Sequence, residues 1–420
     1  MARMLTRRAF TTLIAGGSAI LAAGRSDGQA GTPVTPAPPS PDEAYWESVR
    51  AQFVMPRDLA VMNAANLCPS SRPVIEALHG ATEDIDRDPS PANREKLGPA
   101  KEAARRVVAA FLRATPEEIV LTRNTSEANN LVSSGLDLKA GDEVLVFDDN
   151  HPSNHAAWEH KGRRHGFTVR VLASPHPHPG PDGYVDLVRP AITAHTRVLA
   201  FSHVTNSTGD RRPAAALCRL AREHDVLTLV DGAQSFGMLD VDLLAMQPDF
   251  YTGSAHKWPC GPKEAGVLFV SARVQPRLWP SIYSAYPGAV GFSKSFEGFG
   301  QRDEPALIAF AAALDFQTAI GRGAIERRAR SLAGRLAAEL RGIVGVRVAT
   351  SADPELSTAV VSLTVGDLDP AKLASALYRH DRIGCAVLGR GIRFSPHIYN
   401  TGDEIDRVVA AVSRHARTGV

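Results

Sequence analysis

Short β-rich runs alternate with longer helical patterns between residues 119 and 270, and this alternation constrains the fold more than any other feature of the chain. Candidate strands occupy residues 119–122, 144–147, 169–172, 198–202, 227–230, 250–252 and 266–270. Helical patterns lie between them at 126–134, 154–165 and 213–224. Alternation of this kind builds βαβ units, so an α/β domain with a mostly parallel seven-stranded sheet flanked by helices is predicted. From about Leu307 the texture changes. Ile325, Leu332, Leu336 and Leu340 share one face of a long helix rich in arginine and alanine, and a strand at 359–365 follows. A helix near 371–378 and another after Asp403 complete a smaller α+β C-terminal domain. The expected division is 42–310 for the large domain and 311–420 for the small one, with the N-terminal segment contributing to the latter.

The first 41 residues are organised differently. Thr6-Arg-Arg-Ala-Phe10 precedes a small-residue apolar stretch, residues 13–23, too short to span a bilayer as a stable anchor. This arrangement resembles a Tat-type export signal over residues 1–30, implying passage through the Tat translocase and a periplasmic or secreted destination. Residues 31–41, Gly-Thr-Pro-Val-Thr-Pro-Ala-Pro-Pro-Ser-Pro, read as an extended polyproline linker. The net charge of +2 lacks the basic excess of a nucleic-acid-binding chain. Cys68, Cys218, Cys260 and Cys385 are scattered, with no pairing that suggests a disulfide framework or a metal site.

In open α/β sheets ligands gather at the carboxyl ends of the strands. After the first candidate strand, Thr125 and Ser126 put hydroxyls and backbone N–H groups at a helix start, suited either to a phosphate or to ordinary capping. After the second comes His151-Pro-Ser-Asn154, where the imidazole can stack on a planar ring, move protons, or serve structure alone. His203-Val-Thr-Asn206 follows the fourth, with Asn206 able to donate to a phenolic oxygen. The fifth runs into Asp231-Gly-Ala-Gln234, and an aspartate ending an apolar strand needs a cationic or donor partner. The sixth leads to Ser254-Ala-His-Lys257. A lysine beside a hydroxyl and an imidazole can form a Schiff base with an aldehyde cofactor whose phosphate those neighbours hold. In this order the set matches pyridoxal 5′-phosphate: Thr125, Ser126, Ser254 and His256 for phosphate, Asp231 for the ring nitrogen, Lys257 for the aldehyde.

On Asn124-Thr-Ser-Glu127, His151-Pro-Ser-Asn154, Asp231-Gly-Ala-Gln234 and Ser254-Ala-His-Lys257, the chain resembles the class V aminotransferase group of fold-type I enzymes over nearly all of residues 45–415. That group includes cysteine desulfurases, kynureninase-like lyases and isopenicillin N epimerase. The resemblance implies that His151 stacks on the ring, that Asn206 and Gln234 lie near its hydroxyl, and that the protein is a homodimer. In Gly300-Gln-Arg-Asp303, Gln301 stands where epimerase-like members carry a threonine that reaches the other subunit's phosphate. Arg302 is a second charge for phosphate or substrate, and Asn154 is placed with the substrate. Gly391-Ile-Arg-Phe-Ser-Pro-His-Ile-Tyr-Asn400 matches the segment that binds the substrate carboxylate, making Arg393 the bidentate clamp.

The predicted activity is therefore chemistry at Cα of an amino acid. Asp231 keeps the ring nitrogen protonated and Lys257 acts as base and acid. Desulfurases use a mobile cysteine well before the carboxylate arginine. Here Cys385 lies only eight positions before Arg393, in a run, Ile383-Gly-Cys-Ala-Val387, that reads as a buried strand. The texture favours an isopenicillin N epimerase-like enzyme. A desulfurase-like or other C–S or β-lyase, an aminotransferase, and a cofactor-binding protein without turnover remain as alternatives.

Overall fold

The computed structural model describes residues 34–420, so the proposed export signal and the first residues of the linker lie outside the described residues. Seven strands form the central sheet: β1 (Ile119–Thr122), β2 (Glu143–Phe147), β3 (Thr168–Leu172), β4 (Thr196–Ser202), β5 (Leu227–Asp231), β6 (Phe250–Ser254) and β7 (Gly266–Val270). Their order across the sheet is β1-β7-β6-β5-β4-β2-β3. All neighbours pair in parallel except β7, which runs antiparallel to both β1 and β6. The seven predicted strands are thus the seven observed, each matching or extended by one to two residues.

Alternate residues supply two cores. Leu145, Phe147, Leu199, Phe201, Val230 and Tyr251 face one side, and Val144, Val146, Val198, Ala200, Leu229 and Phe250 face the other. Both faces are apolar because helices cover both, as a parallel sheet with crossover connections requires. Helices α4 (Thr125–Gly135) and α5 (Pro152–His165) cover the second face. The first is packed by α3 (Leu97–Leu112), α6 (Ala214–Glu223) and α7 (Glu304–Ile320). Earlier in the chain lie α1 (Glu43–Arg50) and α2 (Arg72–Arg87).

The smaller unit comprises α8 (Arg322–Arg341), β8 (Val346–Val348), β9 (Val361–Val365), α9 (Pro370–Asp381), β10 (Ala386–Leu388), β11 (Gly391–Phe394) and α10 (Gly402–Thr418). Its four strands form an antiparallel sheet ordered β10-β11-β9-β8. Ile325, Leu332, Leu336 and Leu340 are all buried on α8, as their spacing predicts. The N-terminal segment is built into this unit. Arg50 pairs with Glu404 at 2.8 Å and donates to the Tyr399 carbonyl at 2.6 Å. A two-residue strand, Ala60–Val61, runs parallel to Ile383–Gly384.

Three sequence expectations need restating. A boundary at residue 310 falls inside α7, which packs on α2 and α3; the chain leaves that layer at Gly321, whose φ of 103° lets the next helix turn away. Residues 34–41, read as a linker, lie against the body: Ala37 N–H donates to the Ile320 carbonyl at 3.0 Å, and Val34 and Ala37 pack on the core. The run from Ile383 to Val387 is not one buried strand. Cys385 sits half-buried between two short strands of different sheets, and Val387 is exposed.

Candidate active site

Strand register brings the predicted residues together. Across β4, β5 and β6, Ser202, Asp231 and Thr252 stand in one row. Across β1, β7 and β6, Thr122, Gly266 and Ser254 stand in another. Gly266 is needed there: a Cβ would lie 2.7 Å from the Gly253 carbonyl oxygen and 2.8 Å from Asn124 Cα. Its absence lets the start of α4 close onto β6. Asn124 caps that helix by accepting from Glu127 N–H at 3.0 Å. Thr125 then donates its N–H to Ser254 Oγ at 2.8 Å, and the two hydroxyls are also 2.8 Å apart. Ser126 is half-buried in the same turn, and the positive end of the helix dipole adds to the attraction for an anion.

One helical turn along α4, Asn129 occupies the same face as Thr125, because i and i+4 side chains are neighbours. Its amide donates to Asp231 Oδ2 at 2.9 Å and its oxygen accepts from Thr252 at 3.2 Å. Asp231 Oδ1 accepts the Ala233 N–H at 3.0 Å. Asn154, assigned to substrate in the sequence reading, lies against Asp231 and donates to Oδ2 at 3.4 Å. The carboxylate is buried and accepts from three donors. Asn129 escaped the sequence reading; its spacing from Thr125 was the available signal.

Lys257 follows the turn after β6. Burial pushes its pKa down to about 8; Asp231 opposes that shift and Arg393 adds to it. His151 is the N-terminal cap of α5, its Nδ1 accepting from Ser153 N–H at 3.2 Å, so the proton of the neutral ring sits on Nε2. Its pKa is lowered chiefly by burial and then by Lys257, with Asp231 opposing and Arg393 reinforcing. His151, Lys257, Asp231 and Arg393 therefore share one electrostatic neighbourhood. Burial also takes His256 down to about 4, and its Nδ1 is buried without a partner among the described residues.

Arg393, on β11, is brought in by the small sheet. It donates to the Asn206 carbonyl at 2.8 Å and approaches Asn63 Oδ1 at 3.5 Å, while its buried Nε has no partner among the described residues. Burial lowers its pKa to about 10, leaving it charged at neutral pH. Gln234 accepts the Trp258 indole N–H on its oxygen at 2.8 Å and donates its amide N–H to the Ala65 carbonyl at 3.0 Å. Arg302 donates to the Leu121 carbonyl at 2.7 Å and lies over Phe299. Gln301 is exposed, and its partners Arg94 and Glu304 lie outside the group around Lys257.

A family model described as aminotransferase class-V matches residues 90–408. The chain belongs to the class-V aminotransferase family. It is 33% identical over 389 residues to isopenicillin N epimerase of Amycolatopsis lactamdurans, covering 87% of this chain and 98% of that one. A second isopenicillin N epimerase, from Streptomyces clavuligerus, is 31% identical over 88% of this chain and 98% of its own length. A probable cysteine desulfurase of Methanothermobacter thermautotrophicus is 29% identical, over 86% and 95%. The fold matches the apo cysteine desulfurase of Thermococcus onnurineus NA1 with a TM-score of 0.79, at 24% identity over 88% of this chain and 98% of that one. A C-DES mutant with glycine covalently linked to its PLP cofactor matches with a TM-score of 0.80, at 23% identity over 89% and 99%.

This class-V protein is a fold-type I, pyridoxal 5′-phosphate-dependent enzyme. The residues present fit that group by their own chemistry. Lys257 offers a partly neutral amine, Asp231 a fixed carboxylate for a protonated ring nitrogen, and the Thr125–Ser126 turn donors for the phosphate. The unpartnered His256 Nδ1 supplies a further polar atom beside Lys257.

Proposed function

We propose that the protein is an isopenicillin N epimerase-like enzyme that inverts the configuration at Cα of an amino acid. The observation that carries this reading is the convergence of Lys257, Asp231, Arg393 and His151 in one electrostatic neighbourhood, with Lys257 poised at about 8. Bound pyridoxal 5′-phosphate supplies an electron sink for the bonds at Cα. Arg393 orients the substrate through its carboxylate. Asp231 holds a proton at the ring nitrogen, with Asn129 and Asn154 fixing its orientation. An amine with a pKa near 8 is suited to remove and return the Cα proton at Nζ around neutral pH. His151 Nε2 is the second group available to exchange a proton, as inversion requires one on each face.

The desulfurase reading, which the probable desulfurase relatives keep in view, is disfavoured by Cys385. Burial pushes its thiol up to about 12, so little thiolate is present to attack sulfur. Incubation of the holoenzyme with L-amino acids in D₂O decides between them. Deuterium at Cα with appearance of the D-isomer supports epimerisation. Alanine with persulfide sulfur from cysteine instead would establish a desulfurase, pyruvate with ammonia and sulfide a β-lyase, and a keto acid with aminated cofactor a transaminase.

The homodimer and the export route belong to the same proposal. Trp279, Ile282, Tyr283 and Tyr286 are exposed within one short segment shortly before Gly300-Gln-Arg-Asp303, an apolar surface suited to a second copy of the chain. Sedimentation at micromolar concentration tests it, a monomer counting against it. Export is tested by changing Arg7 and Arg8 to lysine, which abolishes periplasmic accumulation if the Tat route is used.

A further inference from the structure

Trp258, the residue immediately after Lys257, is held from three separate parts of the fold. Its carbonyl accepts from His397 Nε2 at 2.7 Å and from Gln317 Nε2 at 2.6 Å. Its indole N–H donates to Gln234. His397 comes from the segment following β11, Gln317 from α7, and Gln234 from the loop after β5. Lys257 itself opens a tight turn, its carbonyl accepting the Cys260 N–H at 2.9 Å. Behind that turn Gly237 packs so closely that a Cβ would lie 2.6 Å from Pro259 N, and Gln317 also donates to the Gly237 carbonyl at 3.2 Å.

His397 is completely buried, edge-on to Trp258 with ring centroids 5.1 Å apart and to Tyr399 at 5.8 Å. A carbonyl can only accept, so Nε2 carries the proton. Nδ1 is buried without a partner among the described residues, and burial lowers the pKa to about 4. The imidazole therefore acts as a neutral donor. The same segment places the substrate arginine: His397 lies four positions after Arg393, and Ser395 between them receives the Ala64 and Ala65 N–H groups at 3.0 Å.

A lysine side chain has four rotatable carbons, and productive geometry depends on where its backbone begins. We propose that His397 is a positioning residue for Lys257, its Nε2–H and the Gln317 amide together clamping the Trp258 carbonyl so that the lysine backbone stays fixed as Nζ is bound and released. The clamp spans both units of the fold, and so ties the position of the lysine to that of Arg393. The inference rests on the assignment of Lys257 as the cofactor lysine.

The test uses full-length His397→Phe and His397→Gln proteins stripped of cofactor. Two probes are added: pyridoxal 5′-phosphate, followed by the absorbance change of covalent capture, and 4′-deoxypyridoxine 5′-phosphate, which lacks the aldehyde. His397→Phe is expected to slow capture by about 10- to 100-fold, to leave affinity for the aldehyde-free analogue unchanged, and to speed amide exchange across residues 255–263. His397→Gln, which restores a neutral donor, recovers the capture rate. Unchanged capture in His397→Phe overturns the proposal, as does equal loss of capture and analogue affinity, or a glutamine variant as slow as phenylalanine. If His397→Phe does not fold, Gln317→Leu removes the other donor and is read in the same way. Borohydride reduction and peptide mapping of the wild type separate the two claims: label on another lysine defeats the Lys257 assignment, not the clamp.

Discussion

Asn129 bridges Asp231 and Thr252, donating to the carboxylate at 2.9 Å and accepting from the hydroxyl at 3.2 Å. The bridge ties α4, which begins at the Thr125–Ser126 turn, to the ends of β5 and β6. Hydrogen bonds to charged groups contribute about 1.5–3 kcal/mol. Asn129→Leu is therefore expected to weaken pyridoxal 5′-phosphate binding by about 10- to 100-fold. Titration of the apoprotein by fluorescence measures this, and an unchanged dissociation constant would remove Asn129 from the site.

The depressed pKa of Lys257 has a definite sign in stability. Its folded value of about 8 lies below the ordinary lysine value of 10.5, so between those limits the unfolded chain binds a proton that the folded apoprotein does not. Stability of the apoprotein should rise with pH across that window by up to roughly 3 kcal/mol from this group. Lys257→Met should flatten the rise, as read by urea unfolding at pH 7.5, 9 and 10.5. A slope identical to wild type would contradict the burial argument.

Capture of cofactor by the apoprotein depends on the same amine in its neutral form. The rate should climb with pH and level off above about 8. Continued increase toward pH 10.5 would show that Lys257 titrates as an ordinary surface lysine.

Arg393 offers a guanidinium fork that lysine cannot reproduce. Arg393→Lys is expected to lower kcat/KM by about 100-fold, mainly through KM, since the lost bidentate geometry acts on substrate in ground and transition states alike. Steady-state kinetics with an amino acid found active in the exchange screen provides the check. A loss confined to kcat would move Arg393 from binding to chemistry.

Cys385 is partly shielded in the small unit, with its thiol raised to about 12. Cys385→Ala should keep α-proton exchange near the wild-type rate. Loss of activity together with loss of sulfide release from cysteine would reverse the reaction assignment in favour of a desulfurase.

The candidate site residues could be read from local patterns because each lies at or after the end of a strand of its own. Thr125, His151, Asn206, Asp231 and Lys257 lie at or after the ends of five of the seven apolar runs, and parallel strands present their carboxyl ends at one edge of a sheet. Periodicity likewise identified the buried face of α8. Residue 310 lies within α7, which has apolar residues on several faces, so composition there does not reveal which layer it joins.

Contacts across long separations were beyond the reach of local patterns. Asn154 pairs with Asp231 through the packing of α5 on the sheet, and Trp258 meets His397 across a sequence separation of 139. Nothing in the immediate neighbourhood of either residue encodes that partner. The linear chain determined the sheet, the order of the strand-end residues and the class of cofactor. The tertiary structure alone decided what holds Asp231 and Lys257 in place, because hydrogen bonds between distant segments depend on register and helix packing.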